Sequence, residues 1–151
     1  MAWTSPRTFV TGEIVTAAIM NAHVRDNMLA LEARGDASQS DVTGSRAIDG
    51  TVYQNSGTGI RIVTVNVIMT KTNAAEYSRV TFHCDAATPP TTQIGRLALQ
   101  PDGSALGGDL ITEMAFTFVV LPSYYYKATE SHTGTISTLA DWFEWALNTG
   151  L

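Results

Sequence analysis

Ile60-Arg-Ile-Val-Thr-Val-Asn-Val-Ile-Met69 alternates apolar and polar side chains and is rich in β-branched residues. That is the pattern of a strand with one face buried. Similar runs follow at Arg79–Cys84, Gln93–Leu99, Ile111–Val120, Tyr124–Thr129 and Thr138–Leu147. Between them lie Asn55-Ser-Gly-Thr-Gly59, Thr88-Pro-Pro-Thr91, Pro101-Asp-Gly-Ser104, Gly107-Gly-Asp109, Pro122-Ser123 and His132-Thr-Gly134, all residues that accept turn geometry. Short strands at nearly even spacing predict a mainly β fold, a jelly-roll-like antiparallel β-sandwich of about seven or eight strands over residues 48–151. The last run is the least regular, since Leu139, Trp142, Phe143 and Ala146 also share a helical face. The hairpin-like stretch before it favours a strand. No internal repeat is visible, which argues against a solenoid or propeller.

Upstream the period changes. Ala17, Met20, Val24, Met28 and Leu31 recur at steps of three and four, the stripe of an amphipathic helix, which predicts one long N-terminal α-helix over residues 16–34. Thr16 supplies an N-cap hydroxyl and Gly35 a stop. Placing Ala17, Val24 and Leu31 at one heptad position and Met20 and Asn27 at the other gives a short coiled-coil seam with an asparagine in it, a device that fixes register. The alternative is a helix packed on the chain's own β domain, with Asn27 at its edge. Residues 1–15 read as an extended anchoring arm, with Trp3 and Phe9 as apolar anchors and Pro6 holding the segment extended. Residues 35–47, polar and small, read as a flexible linker.

The run from Trp3 to Leu31, and in it Gly12-Glu13, Thr16-Ala17, Asn21 and Arg25-Asp26-Asn27, resembles the N-terminal signature of tailed-bacteriophage virion proteins of the tail-fibre, minor-tail and capsid-decoration kind. Gly50-Thr-Val-Tyr-Gln-Asn55, Tyr124-Tyr-Tyr-Lys127 and Trp142-Phe-Glu-Trp145 are similar to the small β domains that follow it. The resemblance implies a structural part of a virus particle, made in the host cytoplasm and resident in the virion. With the unburied helix stripe it also implies sister chains in a homotrimer and other virion proteins as partners; a bacterial surface glycan is a further candidate, through the aromatic residues weighed below.

Composition fits that expectation. Only 15% of the 151 residues are charged, so the surface is made of Thr, Ser, Gly and Asn. A net charge of −5 argues against a nucleic-acid partner. No apolar run is long enough for membrane insertion, and the first ten residues lack the charged start and apolar core of a signal peptide. Cys84 is the single cysteine, which excludes an intrachain disulfide; its flanks read as a buried strand.

Chemistry is sparse. His23, His83 and His132 stand apart from one another, so neither a metal site nor a cofactor is expected. Glu113, Glu130, Asp141 and Glu144 offer the carboxylates of a polysaccharide-cleaving enzyme, but nothing in their spacing brings two together, and they read instead as solvated strand-face acids. No nucleophile elbow or phosphate loop occurs, so no catalytic residue is expected. The aromatics Tyr124, Tyr125, Tyr126, Trp142 and Trp145 are the candidate binding residues. Alternation turns some of them outward, where a ring either packs on a neighbouring subunit or stacks on a sugar. The expectation is a non-enzymatic virion component, tail fibre or receptor-binding appendage first and capsid decoration or head fibre second. A carbohydrate-binding or polysaccharide-degrading domain is the alternative.

Overall fold

The computed structural model describes residues 8, 10–29, 37–100, 110–134 and 137–147. Of these, 55% lie in strands, so the fold is mainly β. Eight strands form: β1 Ala37–Asp41, β2 Tyr53–Gln54, β3 Arg61–Lys71, β4 Tyr77–Asp85, β5 Gln93–Leu99, β6 Leu110–Val120, β7 Tyr125–Thr133 and β8 Ser137–Leu147. They make two four-stranded sheets, ordered β1-β8-β3-β6 and β2-β7-β4-β5. Every named pairing is antiparallel. The chain changes sheet at each connection except the β4–β5 turn.

Alternation builds the core. Val63, Val65, Val67 and Met69 of β3 are fully buried, as are Val80 and Phe82 of β4, while the residues between them face out. Fully burying such a side chain contributes about 1.5–3 kcal/mol, which makes β3 and β4 the central strands energetically as well as topologically. An aromatic chain crosses the interior: Tyr53 stands 5.7 Å from Trp142 and 5.8 Å from Tyr126, Tyr126 stands 6.2 Å from Phe118, and Phe118 stands 5.9 Å from Phe82. These centroid distances are those of favourable aromatic pairs. Gly95 leaves room for the Phe116 ring, which lies where a Cβ would stand. Phe116 in turn stacks on Phe82 at 4.7 Å.

The described residues 37–47 differ from the flexible linker expected over residues 35–47. Ala37–Asp41 pairs with β8, and Thr43–Ser45 forms a 3₁₀ turn. The turn is tied to β8 both ways, since Val42 N–H donates to the Trp142 carbonyl and Trp142 N–H donates to Thr43 Oγ1 at 2.7 Å. β1 carries no apolar alternation because it is an edge strand with all five residues exposed, held by backbone bonds alone.

Among the described residues the N-terminal helix is also shorter than expected. Ala17–Met20 is α-helical, Asn21–Arg25 is π-helical and residues 26–29 are α-helical again, 13 described residues. Thr16 Oγ1 accepts from Ile19 N–H, as an N-cap should. Within the π segment Asp26 N–H reaches back five residues to the Asn21 carbonyl. One such widened turn breaks the phase of a heptad repeat. Downstream of it Asn27 is buried, its amide donating to the His23 carbonyl at 3.3 Å, while Met28 is 64% exposed. Ala17, Met20 and Val24 are exposed as well. Leu31, Trp3, Pro6 and Phe9 lie outside the described residues. No described helix is long and apolar enough to cross a membrane.

Candidate functional site

Polar groups converge at one end of the sandwich, between the sheets. Strand parity is the cause: Trp142 and Glu144 are two apart on β8 and both turn inward, as does Arg61 at the start of β3 and Tyr126 near the start of β7. Glu144, only 5% exposed, receives Arg46 Nε at 2.9 Å, Arg61 Nη1 at 2.6 Å and the Tyr126 hydroxyl at 2.7 Å. The Arg46 guanidinium lies 4.4 Å over the Tyr53 ring, a cation–π contact that fixes its plane. A cavity of about 230 Å³ opens beside the cluster, walled by Ser38 and Ser40 of β1 and by Arg46, Arg61 and Glu144.

The electrostatics keep the cluster charged. Burial pushes the Glu144 carboxyl up, but hydrogen bonds from Arg46 and Tyr126 and the charges of Arg46 and Arg61 outweigh it and hold the group below its ordinary value. Burial, and then the bond to Glu144, push the Tyr126 phenol up to about 12. A glycosidase acid needs the opposite, a carboxyl kept protonated near neutral pH. Glu144 is a charged joint between β8, β3, β7 and the turn after β1. Glu144 is thus a buried ion-paired acid and not the solvated strand-face acid that the sequence suggests.

The other acids do not join it. Glu113 and Asp141 sit on the outer face of the β1-β8-β3-β6 sheet, where Asp141 accepts from the Asn66 amide at 3.4 Å. Glu130 is engaged by the Ser137 N–H and by His132 Nδ1 at 3.2 Å. Among the described residues no group of three or more His, Cys, Asp or Glu is placed to hold a metal. Cys84 is buried, and burial followed by the nearby Asp85 charge pushes its thiol up, away from the reactive thiolate.

The aromatic candidates divide by parity. Tyr126 and Trp142 are wholly buried and drop out as surface binders; they are core rings. Tyr124 is half-buried against the core. Tyr125 and Trp145 are half-buried on the outer faces of the two sheets. Trp145 pairs outside with Phe143 at 6.1 Å, and the two-residue step between them in the sequence was the available sign that both lie on one face. Neither Arg46 nor Arg61 stood out in the sequence, because a cation in a turn or at a strand end reads as solvated.

A second feature adjoins Trp145. Its neighbours Ile62 on β3 and Val119 on β6 also face outward, and a shallow apolar groove of about 360 Å³ runs along Ala37, Ile62, Thr64, Thr117, Trp145 and Leu147. No protein-family profile matches the chain, and no curated protein is similar to it in sequence.

Proposed function

We propose that the chain is a non-enzymatic structural component of a tailed-phage particle. In this reading the arm and helix attach it to the virion or to sister chains in a homotrimer, and the β domain projects. A tail fibre or receptor-binding appendage is the first position and capsid decoration the second. The observation that carries the structural role is the strand order: β1-β8-β3-β6 against β2-β7-β4-β5, with the chain alternating between sheets, is the order of a jelly roll, an architecture shared by viral coat and lectin domains. The uncovered Met20, Val24 and Met28 on the helix support a role in attachment, since a stripe left open by its own chain is available to another. The phage assignment itself rests on the N-terminal sequence resemblance.

A binding role without catalysis agrees with the engagement of Glu144 by two arginines. Incubating the purified protein with host capsular polysaccharide or lipopolysaccharide tests it: no new reducing ends are expected. Release of reducing ends, lost in Glu113→Gln or Glu144→Gln, would overturn the non-enzymatic reading.

A further inference from the structure

The cavity beside Glu144 has a cause in the sequence. Register places Ser38 opposite Ala146 and Ser40 opposite Glu144, so alternation turns all four toward the other sheet. The edge strand of that other sheet, β2, is only two residues long, and Ser38 and Ser40 stay exposed. Three small side chains, Ser38, Ser40 and Ala146, thus wall a space of about 230 Å³ that Arg46, Arg61 and Glu144 also line.

The two arginines are not equally engaged. Arg46 has a partner on all three nitrogens: Nε and Nη2 donate to the Glu144 carboxylate and Nη1 to the Ser45 carbonyl at 3.3 Å. Arg61 reaches Glu144 and the Tyr126 hydroxyl through Nη1 alone. Among the described residues nothing accepts from its Nε, which is buried, or from its Nη2, which is not, and nothing pairs with the hydroxyls of Ser38 and Ser40. Two guanidiniums face one carboxylate, so the lining carries a surplus of one positive charge in a chain of net charge −5.

We propose that this cavity binds a small carboxylate ligand, the acid group of a hexuronic sugar or a free short-chain acid, with Arg61 Nη2 and the two serine hydroxyls as its donors. A monoanion neutralises the surplus charge, whereas a phosphate dianion would leave a negative charge beside Glu144. The planar guanidinium suits a carboxylate, as the two-point contact of Arg46 with Glu144 already shows. The volume lies below the roughly 300–1,000 Å³ of pockets for larger ligands, which limits the occupant to about one sugar ring. The inference goes beyond the proposed structural role and needs neither the virion nor the trimer.

The test is isothermal titration of the full chain at pH 7 with sodium glucuronate, sodium acetate and glucose. The expected result is saturable, salt-sensitive binding of a carboxylate with a Kd of about 1 mM and none of glucose. Acetate binding as tightly as glucuronate would assign the site to a free acid; tighter glucuronate would assign it to the sugar acid. Ser40→Asp and Ser38→Glu each place a carboxylate at an exposed edge position of the cavity. Each should weaken binding at least ~10-fold while the near-ultraviolet signal of the buried Trp142 is kept. No saturable binding of either carboxylate, equal binding of glucose, or undiminished binding in both variants would overturn the proposal. Carboxylate binding by a chain that is absent from virus particles would end the phage reading and leave this site standing.

Discussion

The Tyr126 hydroxyl donates to the Glu144 carboxylate across 2.7 Å in the interior, joining β7 of one sheet to β8 of the other. With Arg46 and Arg61 on the same carboxylate, one acid ties together four parts of the chain that are distant in sequence. Removing the charge but not the shape, as in Glu144→Gln, leaves two largely buried guanidiniums without a counter-ion. The expected loss is roughly 2–3 kcal/mol in urea unfolding, since both arginines keep part of their surface in water. Tyr126→Phe, which removes one donor from the buried carboxylate, should cost about 1.5–3 kcal/mol.

Acid should weaken the fold for the same reason. Glu144 is held below its ordinary value, and the Asp85 carboxyl is brought to about 2 by backbone N–H groups of Thr92, Thr91 and Ala87. A carboxylate with a lowered folded-state pKa contributes stability that is complete above its unfolded value and is lost as pH falls through the folded one. Thermal melts should therefore be flat from neutral pH down to about 5 and then decline toward pH 2. Glu144→Gln should be less stable at neutral pH and show a shallower decline. A wild-type melting temperature that rises on acidification would contradict this assignment.

Gly95→Ala tests the packing of the second sheet on the first. The added methyl meets the Phe116 ring, which is itself held by Phe82 and Phe118. Moving the ring would disturb its stacking on Phe82 and Phe118, so the change should destabilise by about 1–3 kcal/mol despite the better strand propensity of alanine. An equilibrium urea curve indistinguishable from wild type would show that the ring relocates.

Most of the β fold was legible because burial imposes a period of two. β3 to β8 follow the runs read from the sequence to within a few residues, for each has one face against the core. β1 escaped because Ala37–Asp41 is wholly exposed and paired only through its backbone, and β2 because two residues show no period. The site was less legible. Parity placed Trp142 and Trp145 on opposite faces, yet only the other sheet decides which is inside. Glu144 read as solvated because its arginines lie 98 and 83 residues away in sequence. In the helix, the stripe was visible and its interruption by a π turn was not.

Deleting residues 2–10 should leave the melting temperature of the protein unchanged and abolish its incorporation into virions, because the sandwich begins at β1 and the arm is assigned to docking. Normal incorporation of the deletion variant would refute the docking role of Trp3, Pro6 and Phe9.

Electron microscopy of purified phage particles carrying a labelled copy of this chain tests the structural role most directly. The account predicts label at fixed, threefold-related positions on the tail or the capsid surface, with the β domain outward. Particles that are complete and infectious without the chain, and that carry no label, would contradict it.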